Sequence, residues 1–303
     1  MQHNITRRHF LKQASILTLL ATSLFSPVRG NTTDNKFSSR EKYHKKPKLK
    51  NRDFSLVLSG GGALGIAHLG VLSDLEKHHL SPAEIVGTSM GSIIGACMSI
   101  GMKEKTIYEK VKSLSSLTNW VEFSLTGRGI IESAKLEKIF DSIFANRKMK
   151  DTNIPLKLIA TDLNNGNKKV FSQKDDVFIK DAVLASMSIP GIFEQKVINN
   201  IPYGDGYLCE NLGIDETSFH TVLAVDVMGE NSFDGPLPDT FFKASNVMEM
   251  FERSVRILVY NQTNKILTCS KKNLYLLEPD TKNYKTFNFE KYKAIRASGE
   301  NLL

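Results

Sequence analysis

The stretch that most constrains this chain runs from Glu84 to Met98. Glu84-Ile85-Val86 reads as a short apolar strand, and Ser92-Ile93-Ile94-Gly95-Ala96-Cys97-Met98 as the start of a buried helix. Between them Gly87-Thr88-Ser89-Met90-Gly91 sets a serine between two glycines, the G-x-S-x-G elbow. So sharp a strand-to-helix turn leaves no room for side chains at its flanks, and glycine has none. It lifts the serine Oγ to a strand end, above a helix N-terminus whose partial positive charge favours anions. A glycine-rich turn holding an idle serine has the same pattern, so the rest of the chain must decide between them.

Three hundred and three residues, 41% of them apolar, suffice for one large α/β domain with appendages. The net charge of +8 suggests nucleic acid until its distribution is read. Residues 1–52 hold 12 Lys/Arg against 2 Asp/Glu, which leaves 28 against 30 for the remainder. The basic excess is therefore an N-terminal feature, and no nucleic-acid signature with interleaved aromatics accompanies it. Three cysteines, Cys97, Cys209 and Cys269, make no disulfide framework, and Cys97 reads as a core residue. No C-x-x-C or H-E-x-x-H spacing occurs, so a protein-bound metal is not expected.

Residues 1–30 read as an export signal. Thr6-Arg7-Arg8-His9-Phe10-Leu11-Lys12 precedes an apolar run from Ala14 to Phe25 that is too short for a comfortable membrane span. Pro27 breaks the helix, and Val28 and Gly30 supply a cleavage site before Asn31. The pattern resembles the twin-arginine leader of export, which implies a periplasmic or cell-envelope destination. An ordinary secretory signal and an uncleaved anchor are the alternatives. Residues 31–52, with Lys42, Lys45, Lys46, Lys48 and Lys50, read as a flexible basic tether. A second reading is attraction to an anionic membrane surface. Residues 53–303 form the domain.

Phe54 to Leu58 is an apolar strand, followed by Ser59-Gly60-Gly61-Gly62-Ala63-Leu64-Gly65 and a helix expected from about Ile66 to His78. Gly60-x-Gly62-x-x-Gly65 satisfies the dinucleotide fingerprint. That fold needs an acidic residue at the end of its second strand, whereas Glu84 stands at the beginning. The competing use of the loop is an oxyanion hole, with the N–H groups of Gly60, Gly61, Gly62 and Ala63 approaching a tetrahedral intermediate one strand away from Ser89.

Leu117 to Ile131 reads as an apolar cover over the site or a buried loop. A helix is expected from Ser133 to about Ala145 and a central strand over Ile154 to Leu163, with Asp162 supporting a turn. A short helix ends near Ser188, and extended chain then leads to Tyr203-Gly204-Asp205-Gly206-Tyr207, a pattern that more often marks a hairpin turn. A serine nucleophile needs a proton acceptor. Of the seven histidines, His3, His9 and His44 precede the domain, and His68, His78 and His79 lie on the first helix. His220 comes just before the strand Thr221 to Asp226, at the edge opposite the site. The remaining candidate is a carboxylate acting directly on Ser89, and Asp205 is best situated.

These residues together resemble the patatin-like phospholipase family. The likeness rests on Gly60-Gly61-Gly62, Gly87 to Gly91, Ala160-Thr161-Asp162-Leu163, Ser188-Ile189-Pro190-Gly191-Ile192-Phe193 and Asp205-Gly206, in the family's order and spacing. It implies a three-layer α/β sandwich whose central, mostly parallel sheet is flanked by helices. It implies hydrolysis of a lipid acyl ester with Ser89 as nucleophile, Asp205 as base and the glycine-loop amides as oxyanion hole, a reaction that needs no cofactor. Leu64 stands where the family often has Arg or Lys, and Tyr207 where it usually has Gly or Ala. A catalytically silent lipid-binding protein on the same scaffold is the rival reading. Beyond Val227 the sequence offers only elements: a long helix over Val247 to Leu267, a strand over Asn273 to Leu277 and a helix from Tyr292.

Overall fold

Residues 55–58, 84–88, 156–162 and 221–225 are short, largely apolar runs, and they become the adjacent inner strands of one sheet. The computed structural model describes residues 38–114, 133–230 and 244–303. The chain divides into Met1–Ser38 and Ser39–Leu303, and the architecture below is that of the second unit. The expected leader and the apolar stretch at 117–131 lie outside the described residues.

The strands are β1 (Ser55–Leu58), β2 (Glu84–Thr88), β3 (Leu156–Asp162), β4 (Lys168–Phe171), β5 (Lys196–Ile198), β6 (Ile201–Asp205), β7 (Thr221–Val225) and β8 (Asn273–Leu277). Their order is β5-β6-β3-β2-β1-β7-β8, with β4 paired to β3. β3, β2, β1, β7 and β8 are mutually parallel, and β4, β5 and β6 add antiparallel pairs at the β3 end. Parallel strands buried on both faces need apolar side chains in succession, hence the unbroken runs. Alternate residues serve opposite faces. Leu56, Leu58, Ile85, Leu158, Leu223 and Val225 enter the larger core, and Val57, Val86, Ile159, Val222 and Ala224 the smaller one.

The larger core is closed by α1 (His68–Lys77), α2 (Met90–Ser99), α3 (Glu104–Leu114), α4 (Ser133–Phe144), α5 (Ile179–Met187) and α7 (Tyr292–Ala297). The smaller core is closed by Leu212, Ile214, Tyr43 and the C-terminal end of α6 (Ala244–Cys269) through Leu267. The result is the expected three-layer α/β sandwich. The helix after β1 starts later than its pattern suggests. The glycine loop leads first into a 3-10 turn, Gly62–Ala67, and α1 begins only at His68.

One stretch departs from the expectation of a free tether at 31–52. Arg40 is 2% exposed, and its guanidinium bridges Asp226 Oδ2 at 2.7 Å and Glu278 Oε1 at 2.6 Å. Tyr43 is buried and donates its hydroxyl to the Leu267 carbonyl at 2.6 Å, and Lys45 Nζ lies 4.9 Å from the centre of the Tyr275 ring. The physical reason is Asp226, a fully buried carboxylate just past β7 that needs a cation, and the nearest chain to supply one is this basic segment. Removing one partner of a buried pair strands the other charge, so Arg40→Ala is expected to cost about 3–5 kcal/mol in urea unfolding. A loss below about 1 kcal/mol, the range of surface pairs, would instead mark the segment as a tether.

Candidate active site

Three strands meet around β3, and their register assembles the site. Thr88 at the end of β2 pairs with Ile159 of β3, and Asp205 at the end of β6 pairs with the next residue, Ala160. β4 pairs with both Ile159 and Ala160 as well, so it takes the opposite edge of β3. β2 and β6 therefore run head to head along one edge. The place that a continued β2 would occupy is taken by Asp205, and the chain must leave the sheet at Ser89.

It does so in a strained conformation, φ 52° and ψ −119°, at Ser89, the residue that leads into α2. Such a backbone costs on the order of 1–3 kcal/mol and needs support from its surroundings. Ser89 N–H donates to Ser186 Oγ at 3.0 Å, and Ser186 O–H donates on to the Ile159 carbonyl at 2.6 Å. The flanking glycines permit the close approach. A Cβ at Gly91 would lie 2.2 Å from the Leu58 carbonyl oxygen, and one at Gly87 2.6 Å from that of Gly91.

Ser89 Oγ donates to Asp205 Oδ2 at 2.6 Å. Asp205 Oδ1 accepts the Tyr207 N–H at 3.0 Å, and the Asp205 main chain is tied to Ser188 and Thr161. Asp205 is fully buried. That burial pushes its pKa up to about 7, against the opposing hydrogen bonds from Ser89 and Tyr207. A carboxylate raised this far is a stronger base than an exposed one and remains partly ionised at neutral pH.

Of the four loop residues expected to offer amides, two are already engaged. Gly60 N–H donates to Asn211 Oδ1 at 3.0 Å and Ala63 N–H to the Thr286 carbonyl at 2.8 Å. Gly61 and Gly62 N–H have no acceptor among the described residues, and both residues line the same pocket as Ser89 and Asp205. Gly62 has φ 55°, and a Cβ there would meet the Thr286 carbonyl oxygen at 2.4 Å. The pocket walls are mainly apolar: Ile189, Ile192, Tyr207, Met228, Phe251 and Val255.

Among the described residues no histidine bonds to Ser89. His68 is fully buried on α1 and bonds through Nε2 to the Ser59 carbonyl at 2.8 Å, and burial lowers its pKa to about 4, so it is a neutral support of the loop. His220 is exposed at the opposite end of β7. Asp162 accepts from Asn164 N–H and Asn165 Nδ2 and so supports a turn. Cys97 is a buried core thiol whose pKa burial raises to about 12. Leu64 is fully buried in the larger core, and Tyr207 forms a pocket wall. At the end of β2, where a dinucleotide site needs its acid, stands Thr88, bonded to the Glu210 carbonyl at 3.4 Å.

A family model described as patatin-like phospholipase matches residues 56–218. The chain belongs to the patatin-like phospholipase family. Over 280 residues it is 28% identical to lysophospholipase NTE1 of Scheffersomyces stipitis, covering 84% of this chain and 18% of that protein. Over 206 residues it is 27% identical to the uncharacterized NTE family protein Mb1092c of Mycobacterium bovis, covering 67% of this chain and 55% of that one. The chain thus spans a small part of the lysophospholipase it matches. VipD from Legionella pneumophila superposes with a TM-score of 0.42 at 13% identity, over 84% of this chain and 72% of that chain, too loosely to carry an argument.

Three pocket or loop contacts have no counterpart in the sequence reading. Asn211, Glu252 and Thr286 have no motif of their own. Asn211, six residues past Asp205, was the most accessible, as a buried polar residue beside a motif. Glu252 and Thr286 lie beyond the matched stretch.

The Asp205 environment makes a stability prediction. With its folded pKa near 7 and its unfolded value near 3.8, the native state holds the proton longer. Stability is therefore lost as pH rises through the interval between these values. Asp205→Asn removes the penalty, so its melting temperature should exceed wild type at pH 8, with the difference shrinking toward pH 4. A difference independent of pH would show that the carboxyl is ionised throughout.

Proposed function

We propose that the protein is a serine acyl hydrolase that cleaves an ester of a lipid through a Ser89–Asp205 pair. The observation that carries this reading is the 2.6 Å hydrogen bond from Ser89 Oγ to a buried carboxylate, on the floor of an apolar pocket flanked by two unengaged glycine amides. Family membership and the name of the lysophospholipase relative support the lipid ester as substrate class.

An acyl chain lies along the apolar walls and brings its ester carbonyl to Ser89. Asp205 accepts the Ser89 proton as Oγ attacks the carbonyl carbon. Gly61 and Gly62 N–H donate to the oxyanion, at roughly 2–4 kcal/mol of transition-state stabilisation for a donor of this kind. The alkoxide leaves with the proton from Asp205, giving an acyl-serine and a free alcohol. Water then attacks the acyl-serine, Asp205 takes its proton, and Ser89 is regenerated with release of the carboxylic acid. The N-terminus of α2 favours negative charge at the same point.

Export through the leader at 1–30 belongs to the same proposal, and the mature protein is expected to begin at Asn31. N-terminal sequencing of the exported form checks this.

The central test is a panel of lysophospholipids, phospholipids and neutral esters with wild type, Ser89→Ala and Asp205→Asn. Wild type is expected to label with a fluorophosphonate and Ser89→Ala is not. Asp205→Asn should lose on the order of 10³-fold in kcat or more. Rates should rise with pH along a limb centred near 7, since the base must be ionised. Equal labelling of wild type and Ser89→Ala would leave the silent lipid-binding protein as the better account.

A further inference from the structure

The two engaged ends of the glycine loop are held by different parts of the chain. Asn211 holds Gly60 from within the stretch the family model matches, and Thr286 holds Ala63 from outside it. Thr286 is itself held. Glu252 Oε1 on α6 accepts Thr286 N–H at 2.7 Å, Thr286 Oγ1–H at 2.6 Å and Arg256 Nη2–H at 2.6 Å. Arg256 Nη2 also donates to the Tyr284 carbonyl at 3.2 Å and to Thr286 Oγ1 at 3.3 Å. One carboxylate oxygen therefore holds the amide and hydroxyl of the residue whose carbonyl takes the Ala63 N–H.

We propose that Glu252 is a positioning residue for the oxyanion loop, acting through Thr286. This rests on the hydrolase reading above. The chain of contacts is short and directional: α6 carboxylate, Thr286 amide and hydroxyl, Thr286 carbonyl, Ala63 amide. Gly62, one residue before Ala63, leaves no space for a Cβ against the same carbonyl, so the loop and the Thr286 peptide fit without slack. With Ala63 N–H bonded to Thr286 and Gly60 N–H to Asn211, the Gly61 and Gly62 amides between them are left without an acceptor among the described residues, in two residues that line the pocket. Shifting Thr286 lets Ala63 rotate and takes the neighbouring donors off line. Burial works against the charge on Glu252, yet the bonds from Thr286 and Arg256 keep its pKa below the usual glutamate value, so it is a charged acceptor at working pH. Charge-assisted bonds of this kind are about twice as strong as neutral ones.

The test uses the full-length protein and the variants Glu252→Gln, Thr286→Val, Thr286→Ser and the double variant Glu252→Gln/Thr286→Val. Site-resolved amide exchange reads the brace without any need for turnover. In Glu252→Gln, Ala63 N–H should exchange about tenfold faster or more, with the β1 and β2 amides unchanged. Turnover of a monomeric ester reads the consequence, a fall in kcat of about tenfold with KM within about twofold, as for an interaction made only in the transition state. Thr286→Ser keeps the hydroxyl and should retain wild-type kcat. The double variant should fall no further than the worse single variant, since both break one chain of contacts. If Glu252→Gln does not fold, the Thr286→Val and Thr286→Ser pair decides by the same readouts.

Unchanged exchange at Ala63 in a folded variant overturns the proposal. So does faster exchange with unaltered kcat, and so does a rise in KM alone, which would make Glu252 a substrate contact. A wild type that neither turns over esters nor labels at Ser89 defeats the hydrolase reading instead, and Ala63 exchange still decides whether Glu252 sets the loop.

Discussion

The molecule depends on two strands ending against each other. β2 and β6 share one edge of β3, at Ile159 and Ala160, and approach from opposite directions. A strand end in a parallel sheet is where a helix must begin, so β2 turns into α2 at Ser89. An antiparallel neighbour ending at the next position brings Asp205 to the turn. The contact between two side chains 116 positions apart is thus a consequence of sheet register. Change the register of β6 by one residue and Asp205 points to the other face of the sheet.

That geometry asks for unusual backbone, and the surrounding residues provide for it. Ser89 is held by Ser186, the loop by His68 and Asn211, and both elbow glycines sit where any side chain would collide with main chain. Most buried polar groups near the site are joined in bonded sets, as burial favours, although His68 Nδ1 and Asn211 Nδ2 are buried with no hydrogen-bond partner among the described residues. The same logic accounts for Arg40. The far side of the loop rests against Val227 and Met228, whose chain is fixed by Asp226, and Asp226 draws its counter-ion from a segment that composition alone marks as solvated. Charge runs are read as exposed because lone lysines and arginines usually are. A buried carboxylate elsewhere overrides that, and no local pattern announces it.

Legibility in the sequence follows the range of the interaction. Strands β1, β2, β3, β7 and β8 and most helices come from local apolar runs and periods, and the elbow and glycine loop come from spacing over a few residues. The exclusion of His220 came from chain direction, since a residue preceding a parallel strand sits at the far edge. Asp205 is preferred to a hairpin turn only once the histidines are eliminated, and the resemblance then agrees, because glycine-aspartate-glycine is equally good turn chemistry. The two loop amides in use, Gly60 and Ala63, could not be told from the two left free. Which N–H is taken depends on Asn211 and Thr286, one on the turn past β6 and the other more than two hundred residues past the loop. Glu252 had no signal at all: a glutamate on a helix of mixed polarity reads as a solvated face.

The proposed oxyanion loop shows why such distant ties matter. Hydrogen-bond donors aid a reaction when they are already aimed at the developing charge, since reorienting them during the reaction consumes the gain. A glycine-rich loop is the least suited of all segments to hold an aim, because glycine has the most freedom to lose. Tying both ends, one to Asn211 and one to Thr286, confines the two middle residues, which line the pocket, without using their N–H groups. The proposed base, Asp205, faces a parallel compromise. Burial of Asp205 raises its basicity and at the same time its protonated fraction, and the donors Ser89 and Tyr207 pull it back toward neutrality, to about 7. A carboxylate that is ionised often enough and basic enough can take the place of an imidazole, which is why a site with no histidine bonded to Ser89 among the described residues is still compatible with the acyl transfer proposed for it.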